Sequence, residues 1–152
     1  MKKTINTILF LTLSSTLTFA SSLQQKDLSA KQMSVQKDTI MNLASKEFSK
    51  NAPTKIDKYT TFTGVKVSNS TLIWNFDINT GAKSDQTVQN EDHSKMEKAV
   101  TQGVCIKSKR FFDSDINISY VYNSAKTHIK LFQFDINYEK CLKLFRKNKI
   151  YY

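Results

Sequence analysis

Three short segments alternate apolar and polar residues with a period of two, and this alternation limits the possible folds more than any other feature. The segments are "TLIWNFDIN", "DINISYVY" and "KLFQFDINY". Their apolar positions are mostly aromatic or β-branched, as is typical of strands; they are Leu72, Trp74, Phe76, Ile78, Ile116, Ile118, Tyr120, Tyr122, Phe132, Phe134, Ile136 and Tyr138. Successive side chains of a strand point to opposite faces, so the pattern predicts a sheet buried on one face.

The tetrapeptide "FDIN" begins at Phe76 and again at Phe134, and "DIN" begins at Asp115. In each copy the isoleucine falls on the apolar face, so strand patterning accounts for the repeat. A functional alternative is that Asp77, Asp115 and Asp135 converge and offer oxygens to a hard cation such as calcium. Within one strand, Asp and Asn are about 7 Å apart, too far to share an ion held at about 2.4 Å. The repeat therefore favours a solvated sheet face over a cation site.

Two helices are predicted around these strands. The segment "SAKQ" beginning at Ser29 matches a capping box, and apolar residues follow it at helical intervals. Pro53 disfavours helical geometry in the residue before it, so this helix is expected to end near Asn51. A second helix is expected over 90–102, with Gly103 as its C-terminal stop.

A further strand is expected in "TTFTGVKV", where the apolar positions change parity across Gly64 and so indicate a bulge or bend. The "SNS" at 68–70 would turn this strand into the Trp74 strand. The predicted order is helix, hairpin, helix, hairpin. We therefore predict an α+β fold: an N-terminal helix and a second helix packed on an antiparallel sheet made of two β-hairpins, with one disulfide.

Cys105 and Cys141 are the two cysteines of the chain, and in an oxidising compartment such a pair forms a disulfide. The midpoint between them lies in "YNSAK", the predicted turn of the last hairpin. Cys105 is expected to open that hairpin, so the bond would close its free end and contribute about 4 kcal/mol through loop entropy. The alternative is a redox-active or metal-binding pair, which the absence of a CxxC motif disfavours.

The first twenty residues predict export. Two lysines precede a mostly apolar stretch that ends at small residues around Ala20, as in a secretory signal peptide. The apolar stretch is shorter than the ~20 residues of a membrane-spanning helix. We expect cleavage near Ala20 and a periplasmic or extracellular bacterial protein. The remaining residues, 21–152, are expected to form a single α+β domain.

The chain is basic, with a net charge of +10, and Lys2 and Lys3 of the leader contribute two of these charges. Residues 104–152 carry 10 basic and 4 acidic residues, and 142–152 form a basic C-terminal segment. As a helix this segment could contact an anionic membrane through Lys143, Arg146 and Lys147. The alternative, which we favour, is that its apolar residues pack back on the domain.

The order of "NAPTKIDKYTTFTGVKV", "LIWNFDI", Cys105, "RFFDSDINISYVYNSAKTHIKLFQFDI" and Cys141 resembles a loose group of small exported bacterial domains. The group has a cysteine on either side of the last hairpin and no assigned activity. The resemblance therefore implies an architecture and no mechanism. This chain departs from the group where glycines are expected, with "DSD" at 113–115 and "NSA" at 123–125.

Residues able to carry out catalysis are few. His93 lies in a polar stretch and His128 lies near a predicted turn, and neither belongs to a recognisable nucleophile and base motif. The three glycines of the chain are too few for a phosphate-binding motif. The pattern predicts no enzyme, no cofactor and no metal. Asp57, which precedes the first strand, is expected to bracket a turn.

These observations favour a small exported binding protein of the bacterial envelope, whose partner is a protein or an envelope surface. The outward strand positions Ile73, Val121, Ile129 and Leu131 are candidate contacts. Nucleic-acid binding is not expected, because the aromatic residues are needed in the core. One alternative is an inhibitor or immunity-type protein that blocks a secreted or periplasmic enzyme. A second alternative is a small periplasmic hydrolase.

Overall fold

The computed structural model describes residues 29–148, and the predicted signal peptide lies outside them. Five helices and five strands follow one another within this part of the chain. The helices are α1 (Ala30–Phe48), α2 (Asp85–Gln89), α3 (Ser94–Lys107), α4 (Lys109–Phe112) and α5 (Tyr138–Asn148). The strands are β1 (Thr54–Lys55), β2 (Thr60–Ser68), β3 (Thr71–Ile78), β4 (Asn117–Ser124) and β5 (Lys130–Ile136). The α+β prediction is confirmed.

The five strands form one sheet in the order β1-β2-β3-β4-β5. The two predicted hairpins, β2–β3 and β4–β5, are both present as antiparallel pairs. The prediction of a wholly antiparallel sheet is wrong, because β3 and β4 pair in parallel and make the sheet mixed. The physical reason is the long connection through α2, α3 and α4, which returns the chain to the end of the sheet where β3 began.

The expected irregularity in the first long strand lies at Gly64. The register of β2 against β3 shifts between Phe62 and Gly64, and Gly64 has a φ of 128°. A Cβ atom placed there would lie 3.2 Å from Ser49 Oγ. The same hydroxyl accepts a 2.7 Å hydrogen bond from the Val65 N–H. The bulge thus brings the end of α1 into contact with the sheet.

Helix α1 begins with the predicted capping box. Ser29 Oγ accepts from the Gln32 N–H at 3.3 Å, and Gln32 Oε1 accepts from the Ser29 N–H at 2.9 Å. The helix ends at Phe48, slightly before the expected position near Asn51. Met41 is fully buried against the sheet, and Ser45 donates a hydrogen bond to the Val65 carbonyl.

Helix α3 continues past the predicted stop at Gly103 and ends at Lys107. A glycine ends a helix when it takes a left-handed conformation just beyond the last turn. Within residues 29–148, that backbone region holds Gly64 and Gly81 but not Gly103. Helical Gly103 costs about 1 kcal/mol relative to alanine, a cost that the packing of α3 on the sheet outweighs.

The predicted disulfide between Cys105 and Cys141 is present, with a Cα–Cα distance of 5.4 Å. Its expected position at the start of the hairpin is wrong, because Cys105 lies in α3 and Cys141 lies in α5. The bond therefore joins two helices that flank the β4–β5 hairpin in the chain. Tyr138, expected on the inward face of the last strand, begins α5 instead and is exposed.

The core lies between the sheet and the helices and has two parts. The first part packs α1 against β2, β3 and β4 around Met41, Leu72 and Phe76. The second packs α3 and α5 against the ends of β4 and β5, around the disulfide and Phe145. Four half-buried residues border both parts, and they are Trp74, Val100, Phe111 and Tyr120. These four residues join the halves of the molecule.

Candidate functional site

An apolar cleft opens where the two halves of the core meet. Its volume is about 480 Å³. It is lined by Phe48 of α1, by Trp74, Ile118 and Tyr120 of the sheet, by Ala99, Val100, Gly103, Val104 and Lys107 of α3, and by Ser108 and Phe111 of the α4 segment. We call this site the aromatic cleft. Most of its surface is carbon, so its chemistry is suited to binding an apolar group.

The floor and one wall of the aromatic cleft are stacked rings. The Phe48 and Trp74 ring centroids are 5.0 Å apart, and Trp74 stacks on Tyr120 at 5.8 Å. Phe111 meets Phe48 edge to face at 6.2 Å. Phe48 remains 37% exposed in spite of these contacts. A large ring with this much free surface, next to an open cavity, is a suitable contact for an apolar ligand.

Gly103 forms part of the α3 wall of the cleft. A Cβ atom added at this position meets no heavy atom within 4 Å. The glycine is therefore not required by close packing inside the protein. Its effect is to leave the wall open, so that the cavity reaches the helix backbone.

Three polar groups accompany the apolar walls of the cleft. The Trp74 Nε1–H is buried and finds no acceptor among the described residues, and an unsatisfied buried donor is costly. Lys107 is exposed at the rim and forms no ion pair with another described residue. Burial raises the pKa of Tyr120, so its ring stays neutral at physiological pH. The cleft thus offers an uncharged interior and a positive rim.

A second cleft lies along the N-terminal half of α1 and has a volume of about 490 Å³. Met33 and Ile40 line it on the helix side, and Ile116 lies opposite. We call it the α1 cleft. Met33 and Ile40 are exposed although both are large and apolar. Helix α1 therefore borders an open cleft towards each of its ends, and the α1 cleft also carries polar and charged residues, among them Lys37, Asp113 and Asp115.

The predicted contact residues do not form one surface. Ile73 and Val121 are half-buried on the sheet face opposite the helices, and Ile129 is exposed before β5. Leu131 is buried, with 5% of its surface accessible, on a strand that the short helix α2 contacts. Lys143 and Arg146 are exposed on α5, whereas the side chain of Lys147 lies outside the described residues.

The aspartates of the repeat do not converge. Asp77 is aligned with Asn123, and Asp135 is aligned with Ser119, which lies beside Ile73. Four residues of strand separate the two positions, or about 13 Å. Asp115 precedes β4 with a φ of 54°. Within residues 29–148, no three His, Cys, Asp or Glu side chains are grouped so that they could hold a metal ion.

The two histidines have structural surroundings. The His93 ring stacks on Phe132 with 3.8 Å between centroids, and its Nε2 lies 2.9 Å from the Val88 carbonyl oxygen. His128 lies in the β4–β5 turn with a φ of 60°. The expected role of Asp57 is confirmed, since its Oδ1 accepts hydrogen bonds from the Tyr59 and Thr60 N–H groups.

Comparison with known proteins places this fold in a family. Residues 35–132 match the family model of a domain of unknown function, DUF8479. The chain belongs to the DUF8479 family. The resemblance to small bacterial domains of unassigned function is thereby confirmed. No curated protein matches the sequence of this DUF8479 member.

Three solved structures share the DUF8479 fold of this chain at low sequence identity. A protein assigned as secreted, from Pseudomonas aeruginosa, is 15% identical with a TM-score of 0.65 and covers 74% of this chain and 99% of its own. A type II secretion system pilotin from Vibrio vulnificus is 8% identical with a TM-score of 0.59, covering 73% and 96%. The pilotin from Vibrio cholerae is 11% identical with a TM-score of 0.56, covering 73% and 97%. The TM-scores establish a shared fold in spite of the low identities.

The aromatic cleft was not predicted from the sequence. Trp74 and Tyr120 were assigned correctly to the helix-covered face, but period-two patterning cannot show that a helix leaves part of that face uncovered. Gly103 gave a detectable signal, because a glycine inside a helical pattern often has a packing or functional reason. Among the described residues, no helix has the length and apolar character needed to cross a membrane.

Proposed function

We propose that this protein is an exported, non-catalytic binding protein of the bacterial envelope that holds an apolar segment of a partner protein in the aromatic cleft. The observation that carries the proposal is the open, ring-lined cavity of about 480 Å³ between α1, α3 and the sheet. Cavities of about 300–1,000 Å³ with mostly apolar walls are typical of ligand sites.

The shape of the surface favours a protein segment over a compact small molecule. Helix α1 has 19 residues, which corresponds to a length of about 28 Å. The α1 cleft and the aromatic cleft lie towards its two ends. An elongated ligand lying beside α1 could use Met33 and Ile40 at one end and Phe48 at the other. A helix or strand with an apolar stripe has this form.

The positive charge at the rim of the aromatic cleft indicates which residues a partner segment would carry. Lys107 lacks an ion pair with the described residues and would meet an acidic residue that flanks the apolar stripe. The expected partner segment is therefore apolar on one face and acidic at its edge.

Two further observations support a binding role in the envelope. The leader predicts export through its charged start and apolar run. The fold is shared with pilotins of the type II secretion system, which are proteins of a secretion machine. The second of these observations is an analogy of fold, so the test must address the cleft itself.

The test uses Trp74, which is the one tryptophan of the chain and lines the cleft. A synthetic helical peptide with a leucine stripe and flanking glutamates is titrated against the protein while tryptophan fluorescence is recorded. We expect a saturable change in emission, because a bound apolar segment excludes water from the indole ring. A lysine-flanked peptide with the same stripe should bind more weakly.

Gly103→Leu and Gln102→Leu form a matched pair of variants. The first places a leucine side chain in the cleft, and the second places the same side chain at an exposed neighbouring position of α3 that lines no described cleft. Gly103→Leu should abolish the fluorescence response, and Gln102→Leu should keep it. Equal responses in the two variants, or no response in the unmodified protein, would reject the cleft as the binding site.

A further inference from the structure

A third, separate cleft lies between α3 and α5. Its volume is about 370 Å³. It is lined by Ser94, Glu97, Lys98 and Thr101 of α3 and by Lys140, Lys143 and Leu144 of α5. We call it the α3–α5 cleft. None of these residues lines the aromatic cleft, so the two sites can be tested independently.

Thr101 lines this cleft and carries an unsatisfied hydroxyl. The residue is 4% exposed, and its Oγ1 is buried without a hydrogen-bond partner among the described residues. Leaving such a group unpaired costs free energy in the folded protein. A valine would fill the same space without this cost. A ligand could satisfy this hydroxyl once a rotation of the Thr101 side chain turns it into the cleft.

Two of the lysines around the α3–α5 cleft are not neutralised by a carboxylate of the described residues. Lys140 Nζ lies 2.5 Å from Glu97 Oε1 and also donates to the Asp135 carbonyl at 2.9 Å, so this lysine and this glutamate neutralise each other. Lys98 and Lys143 are exposed and form no ion pair with another described residue. One lysine stands on each helix, which gives a positive charge on both walls.

The rest of the wall is carbon, supplied by Leu144 and by the methylene stems of the lysines. A ligand that fits must combine an anionic group with an apolar body. A phosphate group carries several acceptor oxygens and can bind two ammonium groups and a hydroxyl together. Arg146 is exposed three residues beyond Lys143 on α5 and extends the positive surface.

We propose that the α3–α5 cleft binds the phosphate of an anionic phospholipid, with Thr101 donating to the phosphate and Lys98 and Lys143 neutralising it. The acyl-bearing part of the lipid lies against Leu144 and the lysine stems. This site would hold the basic side of α5 at the surface of a membrane. It assigns a ligand to the C-terminal helix and does not depend on the function proposed for the aromatic cleft.

The test measures co-sedimentation of the exported protein with vesicles. One vesicle contains phosphatidylcholine with phosphatidylglycerol, and the other contains phosphatidylcholine alone. We expect binding to the first vesicle and not the second. Thr101→Val should weaken the binding by about tenfold, the usual effect of a hydrogen bond to a charged group. Unfolding by urea should show this variant to be as stable as the parent or more stable, because the hydroxyl it removes has no partner.

Two double variants distinguish binding in the cleft from attraction by the overall net charge. Lys98→Gln with Lys143→Gln should weaken binding by about thirtyfold. Lys66→Gln with Lys126→Gln removes the same charge from residues that do not line the cleft and should have a small effect. Equal losses in the two pairs, together with an unaffected Thr101→Val, would mean that only overall charge attracts the protein, and would overturn the proposal.

Competition identifies the source of the phosphate. Glycerol phosphate should displace the protein from vesicles only at high concentration, because it lacks the acyl chain. Binding of inorganic phosphate without vesicle binding would overturn the lipid assignment. Binding of a polyglutamate peptide in place of vesicles, with the same sensitivity to Thr101→Val, would also overturn it. Gly103→Leu should leave vesicle binding unchanged, so failure at one cleft is distinguishable from failure at the other.

Discussion

Asp57 shows how a single carboxylate organises the entry to β2. Its Oδ1 accepts hydrogen bonds of 2.7 Å from the Tyr59 N–H and 2.8 Å from the Thr60 N–H. The Tyr59 bond and then the Thr60 bond lower the pKa of Asp57 below its usual value of 3.8. A carboxylate with a depressed pKa contributes stability above its unfolded pKa, and this stability is lost as the pH falls through the folded value.

We therefore expect Asp57→Ala to be less stable than the parent at neutral pH and close to it well below pH 3.8. Urea unfolding followed by circular dichroism at the two pH values measures the difference. Asp57→Asn is the control, because its amide oxygen keeps an acceptor that does not titrate. An equal loss for Asp57→Ala at both pH values would show that the charge of the carboxylate is not involved.

Tyr122 makes the stability of the protein fall as the pH rises, which is the opposite of the effect of Asp57. Burial, and secondarily the neighbouring Tyr120, raises the pKa of Tyr122 from 10.0 to about 12. The stability that the neutral phenol contributes is complete below the unfolded pKa of 10.0 and is lost as the pH rises through about 12. The parent protein should lose stability across this range, and Tyr122→Phe should lose less. Urea midpoints measured on both sides of the range would reveal the effect, and parallel curves would contradict it.

At the scale of elements, α3 is a continuous helix through a glycine. Because a Cβ at Gly103 meets no atom within 4 Å, Gly103→Ala should raise the free energy of unfolding by about 0.5–1 kcal/mol. Chemical denaturation measures the gain. A substantial loss of stability would mean that α3 does not continue past this position.

The disulfide fastens α3 to α5 across 36 residues of sequence. Loop-entropy arithmetic for such a ring gives about 4 kcal/mol. We expect the double variant Cys105→Ala, Cys141→Ala to be less stable by about this amount. Reduction of the parent protein by dithiothreitol should cause a similar loss and serves as the control. An unchanged urea midpoint in both experiments would show that helix packing alone holds α5 in place.

At the scale of the whole molecule, the two parts of the core are joined by half-buried residues. Trp74 borders both parts, whereas Phe76 belongs to the first. Trp74→Ala should therefore reduce the cooperativity of unfolding, seen as a lower slope of the urea transition in circular dichroism. Phe76→Ala should shift the midpoint and keep the slope. If both variants keep the parental slope, the two halves are coupled by other contacts.

Two segments of this chain, 113–115 and 123–125, lack the glycines that the resemblance leads us to expect. Asp115, in the first of these segments, takes a left-handed conformation with a φ of 54°, and His128, which lies beyond the second segment, has a φ of 60°. Aspartate tolerates this region better than most residues do. The resemblance to related domains drew attention to 113–115 but could not show that the turn itself is retained. In this structure the chain turns at Asp115 between Phe112 of α4 and Ile116, which are both anchored in the core.

The sequence by itself determined the α+β class, the buried face of β3 and β4, the cap of α1 and the partner of each cysteine. These features depend on neighbouring residues, on a period of two, or on there being two cysteines to pair. Only the tertiary structure decided the parallel pairing of β3 with β4, the course of α3 past Gly103 and the three clefts. These depend on how distant elements cross, and side chains far apart in the chain set that geometry.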